Sequence, residues 1–362
     1  MEPRPRAWKG MMGRRALSVG VVAACVLQAS PLASQSSIQF FAGNQSVAQF
    51  YSGKQITLIV GATPGGGYDT QARFVAKYLG HHIPGRPTLV VQNMPAAGSL
   101  AAANHIANAA PRDGTVIALV QRGMLLIKAW NPAQVRFELE KLNWIGSISR
   151  EVGVVLAWHT APHRTAQDLF DKELIVGGTT GIDTETTPRL LNAVLGTKFR
   201  IVTGYPGTVE IALAMERDEV QGIGDWAWSS LKSVRPSWLA EKKVNILMQS
   251  TLQRDPELHG VPLTLDFVKG DADRRVMELY LTQKTVARPV IAPPGVPADR
   301  LAALRQAFAA LAHDKDFMAD AQKSNLDVSP VSGAEVDKVV AIIASASPET
   351  FQRLGSDIAT GR

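Results

Sequence analysis

The sequence predicts an α/β protein of two lobes, with mostly parallel sheets flanked by helices. Three observations predict it. From Lys54 onward, strand-like and helix-like runs alternate, the pattern of parallel sheets covered by helices. A second series of the same kind opens near Gly153, and a late segment from Val286 suits the first sheet better than the second. Several short loops rich in glycine and hydroxyl residues sit between a strand and a helix. In parallel sheets such loops gather at the carboxyl ends of the strands, where ligands bind.

In order, "QITLIVGA" reads as a buried strand and "TQARFVAKYLGHHI" as a helix with Ala72, Val75, Ala76 and Leu79 on one face. "PTLVVQNM" is a second strand, "AGSLAAANHIANAA" a small-residue helix and "TVIALV" a third strand. The second series runs through "VGVVLAW", "ELIVGGTT", "FRIVTGY", the helix "GTVEIALAMERDEV", "QGIGDW" and "VNILMQS". A final strand, a proline-rich turn and a long amphipathic helix fill "VARPVIAPPGVPADRLAALRQAFAALAHD". The boundaries expected are 50–152 for the first lobe, 153–285 for the second and 286–362 for a return to the first.

The 362 residues suffice for two lobes with cores of their own. The formal charge is +6, but the first 34 residues hold five basic residues against Glu2 alone, leaving 33 basic and 31 acidic residues in the rest. No basic cluster survives, which excludes nucleic acid as a partner. At the amino end, a basic segment closing on Arg14-Arg15 precedes the apolar run Ala16 to Ala29, too short to span a bilayer. Residues 1–34 are therefore expected to be a secretory signal, cut among the small residues Ala29 to Ser34. Alternatively, "VAAC" at Val22 to Cys25 is similar to a bacterial lipobox, which would leave Cys25 lipid-anchored. Either way the protein is expected to be exported to the periplasm. Cys25 is the sole cysteine, so the rest of the chain has no disulfide, thiolate metal site or cysteine nucleophile.

The most informative stretch is "GATPGGGYDTQARFVAKYLG", Gly61 to Gly80. Glycines let backbone N–H groups approach a ligand closely, and a helix amino terminus adds free donors and a positive dipole end. Thr63, Gly65, Gly66, Gly67 and Tyr68 are thus candidates to hold an anion. A phosphate loop would need a lysine and a hydroxyl residue where Tyr68-Asp69 stand, and the dinucleotide pattern lacks its third glycine. Asp69 is expected to cap the helix or bond across the loop, with a ligand of one compact charge. "NMPAAGSLAAANHI" repeats the arrangement and nominates Ala97, Gly98 and Ser99. "GGTTGIDTET" and "GYPGTVE" nominate Thr179, Thr180, Asp183, Tyr205, Gly207 and Thr208 on the second lobe.

These residues carry a family resemblance. The run from "FYSGKQ" through "PRDGTVIAL", with "QRGM" (Gln121–Met124), "YPGT" (Tyr205–Thr208), "APPGVPADRLAALRQAF" (Ala292–Phe308) and "LDVSPVSGAEV" (Leu326–Val336), resembles the Bug-type extracytoplasmic solute receptors of tripartite tricarboxylate transporters. It covers roughly Phe50 to Leu354. The resemblance implies a two-lobed, periplasmic-binding-protein-like fold of type II with a ligand cleft between the lobes. It also implies a small organic carboxylate as ligand, inner-membrane permease subunits as partners, no cofactor, and a monomer. One ligand carboxylate would be held by backbone N–H groups of the Thr63–Asp69 and Ala96–Ser99 loops. Arg122 could then pair bidentately with a second carboxylate. The chain departs from the "PFPPGG" pattern of many relatives, with Gly61-Ala62-Thr63 before Pro64. Asp225 is expected either to meet a ligand amine or hydroxyl or to cap a helix.

Other chemistry is poorly supported. His159 and His163 flank Pro162 and read as surface residues rather than metal ligands. Asp183 and Glu185 read as helix caps, and Trp226, Trp228 and Trp238 as core or lobe-surface residues, with Trp226 a candidate cleft wall. No nucleophile elbow, HExxH or CxxC is present. A solute receptor is the leading reading. A carboxylate sensor and, further off, an exported hydrolase or lyase are the alternatives.

Overall fold

The computed structural model describes residues 45–361, so the expected signal, its cleavage site and Cys25 lie outside the described residues. The first part of the chain runs α1 (Val47–Tyr51), β1 (Gln55–Val60), α2 (Gly67–His82), β2 (Thr88–Asn93), α3 (Leu100–Asn108), β3 (Val116–Leu119) and β4 (Asn143–Ser147). The middle part runs β5 (Gly153–Trp158), α4 (Asp168–Asp171), β6 (Leu174–Gly178), α5 (Asp183–Leu195), β7 (Phe199–Thr203), α6 (Thr208–Glu216), β8 (Gly222–Ala227), α7 (Trp228–Val234), α8 (Pro236–Ala240) and β9 (Val244–Ser250). The last part runs α9 (Asp271–Thr282), β10 (Pro289–Ala292), α10 (Ala298–Ala310), α11 (Lys315–Lys323), β11 (Val331–Ser332), α12 (Gly333–Ala344) and α13 (Pro348–Thr360).

Two sheets result, ordered β2-β1-β3-β10-β4-β11 and β7-β6-β8-β5-β9. Within the first five strands of each order the plan is the same. β2, β1 and β3 are parallel, β10 is antiparallel to both β3 and β4, and so β4 shares the direction of β1. In the second sheet β7, β6 and β8 are parallel, and β5 alone is reversed between β8 and β9. Each reversed strand is the first one laid down after the chain arrives from the other sheet. A strand that enters from the far side must run against those that started at the near side.

The sequence explains the strands through burial. β5 and β8 are buried along their full length, which is why "GVVLAW" and "GIGDWA" lack the alternation of a half-exposed strand. β4 is absent from the strands the pattern suggests, because "NWIGS" is short and mixes asparagine, glycine and serine with its apolar pair. α2 begins at Gly67, three residues before the expected Thr70, after the extended Gly66. It packs Phe74 and Tyr78 against Phe317 of α11, at ring separations of 5.0 and 5.5 Å. The final helix leaves the first sheet: α13 packs on α5 and α9.

One consequence governs function. Because β1, β2, β3, β6, β7 and β8 are co-directional within their sheets, the loops that follow them all open on one shared cavity.

Candidate functional site

The cavity has a volume of about 360 Å³ and is walled by loops of both sheets. That size falls within the range of small-molecule sites, ~300–1,000 Å³. The walls meet across it. A methyl group on Gly98 would lie 2.5 Å from Ile182 Cγ2, and one on Gly207 would lie 2.7 Å from Thr63 Oγ1. The two sides are closed on each other.

On the first-sheet side the wall is mostly backbone. Gly65 takes φ +80° and gives its N–H to Asp69 Oδ2 at 2.9 Å. Asp69 also receives Arg73 Nε at 3.0 Å and Asn93 Nδ2 at 2.9 Å, tying the glycine loop to α2 and to the end of β2. Burial alone would raise the Asp69 pKa, but the hydrogen bonds from Arg73, Gly65 and Asn93 outweigh it and hold the group below its ordinary value. With Asp69 bracing the loop and no side-chain cap at Gly66, the first N–H groups of α2 are left for the cavity.

The second loop is strained for the same end. Ala97, Gly98 and Ser99 are three successive left-handed residues, with φ of 46°, 60° and 78°. Non-glycine residues pay about 1–2 kcal/mol each for that conformation. The Ser99 hydroxyl holds it, donating to Gly61 O at 2.6 Å and accepting from Gln121 N at 3.0 Å. Backbone N–H groups that turn together in this way form an anion-binding concavity.

The second-sheet side is richer in side chains. Thr179, Thr180, Asp183, Thr184, Tyr205, Thr208 and Asp225 line it, with Ile182 and Trp226 as apolar patches. Glu185 accepts the Gly181 N–H at 2.7 Å and stiffens the turn before α5. The Thr179 hydroxyl is buried and has no partner.

At the floor lie four buried charges. Arg122 Nη2 contacts Asp183 Oδ2 and stands 3.8 Å from Asp225 Oδ1. Lys284 Nζ bridges the same two carboxylates, at 3.1 Å to Asp183 and 2.6 Å to Asp225. Thr187 Oγ1 adds a 2.7 Å bond to Asp225 and shares the Tyr280 hydroxyl. Burial opposes the charge on Asp183, yet Arg122 and Lys284 outweigh it and lower its pKa. For Asp225 burial wins: Lys284 offsets it only in part, Asp183 adds repulsion, and the pKa is raised. Arg122 is also buried, but the neighbouring carboxylates, Asp183 first, keep its charge and raise its pKa.

A second ionic group is sealed behind the first. Arg288 donates to Glu151 Oε2 at 2.8 Å and to Ser230 Oγ at 2.8 Å, and lies 5.0 Å from the centre of the Tyr68 ring. Burial would raise the Glu151 pKa, but Arg288 and the Ser229 hydroxyl overcome this and lower it.

Several expectations need correction. Arg122 is not free to fork onto a ligand carboxylate, because Asp183 already occupies Nη2. A buried guanidinium needs a counter-charge, and the opposite lobe supplies it. Asp183 caps nothing; it pairs with Arg122 and Lys284. Asp225 likewise faces Lys284 and Thr187 rather than a helix end. Gly65, Asp69 and Ser99 shape the loops without lining the cavity, and the Tyr68 ring lines it while its hydroxyl donates to Ala287 O at 2.9 Å. His163 is buried, not superficial, with Nε2 3.3 Å from Lys172 O. Thr63, Gly66, Gly67, Ala97, Gly98, Thr179, Thr180, Tyr205, Gly207 and Thr208 do come together around the cavity.

Sequence reasoning missed Glu151, Tyr280, Lys284 and Arg288. The only signal for the last two was a pair of cations spaced across the apolar "TVA" of a segment that reads as a strand edge. Among the described residues no group of side chains is set to hold a metal ion.

No family model matches the sequence. A UPF0065 protein of Agrobacterium vitis, encoded in the TAR-I ttuE-ttuC′ intergenic region, is 31% identical over 159 residues. That match spans 42% of this chain and 45% of the relative, so this chain covers less than half the relative's length. Among solved structures, the periplasmic binding protein BugD is 17% identical with a TM-score of 0.68, over 86% of this chain and 99% of its own. Rpa4515 of R. palustris, solved with adipate, is 19% identical with a TM-score of 0.67, over 85% and 98%. MatC of Rhodopseudomonas palustris, solved with malate, is 18% identical with a TM-score of 0.63, over 84% and 99%. The fold is the two-lobed type II fold of periplasmic binding proteins, and the likeness to BugD agrees with the resemblance carried by the motifs.

Proposed function

We propose that this protein is an extracytoplasmic receptor that captures a small organic carboxylate between its lobes. The bound, closed form is then presented to the membrane permease of a tripartite tricarboxylate-type transporter. The observation that carries the reading is the cavity itself. Two glycine-shaped loops, braced by Asp69 and Ser99, wall a space of about 360 Å³, and the start of α2 beside it has no side-chain cap. A wall of glycine loops beside a helix start supports a held negative charge. The reading draws further support from neighbours of the same fold that were solved with adipate and with malate. Contacts to both lobes would favour the closed form, and a permease that reads the closed form would receive only loaded receptor.

Thermal melting against a panel tests this, using mono- and dicarboxylates, their amides, and nucleotides. A ligand at about 100 times its Kd adds about 2.7 kcal/mol of stability. Carboxylates should raise Tm and the matched amides should not. Stabilisation by nucleotides alone would overturn the reading.

A further inference from the structure

The charges around the cavity narrow the ligand class, given the receptor reading above. We propose that the ligand is a monocarboxylate whose far end carries a neutral oxygen acceptor, a carbonyl or a hydroxyl, received by Arg122.

Two observations carry it. The first is an unmet demand in the wall. Arg122 is 3% exposed and lines the cavity, and only its Nη2 is engaged by side chains; Nε and Nη1 are buried without an acceptor. Buried donors are nearly always satisfied, so an oxygen belongs there. The Thr179 hydroxyl, likewise buried, unpartnered and on the cavity wall, adds a second such position.

The second observation is the balance of charge. Arg122 and Lys284 are matched by Asp183 and Asp225, and Arg288 by Glu151. No side-chain charge is left over for a second ligand carboxylate. Such a group would also sit beside Asp183 and Asp225, both of which line the cavity. Helix ends do not change this. α2, α5 and α6 each carry an acidic residue in the first turn, whereas α3 carries none. The uncompensated positive end is therefore on the Ala97–Ser99 side, where one carboxylate fits. Arg122 then meets an acceptor that brings no charge of its own.

Length-matched ligands test the proposal by calorimetry on the full chain. The series pairs 4-oxopentanoate with succinate, 5-oxohexanoate with glutarate and 6-oxoheptanoate with adipate, and includes the plain acids of equal length. The best oxo acid should bind about tenfold or more tighter than its dicarboxylate and its plain partner, about one hydrogen bond's worth. Arg122→Met should remove the oxo acid's advantage over the plain acid, read as the ratio of the two affinities within that variant. Asp225→Asn, which leaves one positive charge uncompensated, should shift preference toward the dicarboxylate. A wild-type preference for dicarboxylates would overturn the proposal and leave the receptor reading intact. If another carboxylate from the melting panel binds best, a second ionised carboxylate on it overturns the proposal equally. Failure of every carboxylate to bind would overturn both.

Discussion

Arg122 and Arg288 are two buried guanidinium groups in one molecule, and they are treated differently. Arg288 is enclosed on most of its edge: Glu151, Ser149, Ser229 and Ser230 accept from Nη1 and Nη2, Tyr68 covers its face, and only Nε lacks a partner. Arg122, a residue of the cavity wall, contacts carboxylates through Nη2 and keeps two buried nitrogens unpaired. The first arrangement fastens the chain where it returns from the second sheet. The second fastens the lobes across the cleft and still leaves donors for a guest. Burial alone therefore does not separate a structural charge from a binding one; unspent hydrogen-bonding capacity beside a cavity does.

The comparison can be broken most easily at Arg288. Arg288→Met leaves Glu151 buried without its counter-charge, and losing one partner of such a pair costs about 3–5 kcal/mol. A urea midpoint unchanged by Arg288→Met would remove its structural role. Arg122→Met should cost less, about 1–3 kcal/mol, since Lys284 still faces both carboxylates. If the two variants lose stability equally, the contrast fails.

Gly98 sharpens the cleft side. A side chain there meets Ile182 and requires a positive φ, so Gly98→Ala should weaken carboxylate binding tenfold or more while costing the free protein about 1 kcal/mol. Gly66 supplies the comparison: its φ is −78°, and an added methyl meets only Thr63 O at 3.7 Å. Gly66→Ala should lose less affinity than Gly98→Ala.

Acid should report on the sealed pair. The Glu151 pKa is lower folded than unfolded, so its stabilisation is present above the ordinary glutamate range and fades as pH falls through the folded value. Denaturation midpoints measured from neutral pH downward should fall more steeply for wild type than for Glu151→Gln. Parallel curves would show that the pair does not contribute. The smallest effect is expected at the exposed Arg200–Glu173 pair, where Arg200→Ala should change stability by less than about 0.5 kcal/mol.

Much of this was legible in the sequence, and the exceptions share a cause. The strands around Leu58 and Ile117 could be read because apolar runs report burial directly, whereas β2 is partly exposed and its "LVV" run reports only strand propensity. Asp69 could be read as a loop brace because its partners lie within one turn of helix and one neighbouring strand. The pairing of Arg122 with Asp183 could not, since it exists only where two lobes meet, and no local pattern records lobe closure. Lys284 and Arg288 were hidden for the same reason: their partners lie on strands and helices laid down far earlier in the chain. Burial of His163 was obscured by Pro162 and the polar residues around it, which look like an exposed loop.

The central claim is that the cleft holds a carboxylate by lobe closure around braced backbone donors. Calorimetric titration of wild type and Gly98→Ala with the carboxylate that stabilises most, and with its amide, tests it directly. One carboxylate should bind per chain, the amide should bind little, and Gly98→Ala should lose affinity. Equal binding of acid and amide, or an unaffected Gly98→Ala, would contradict it.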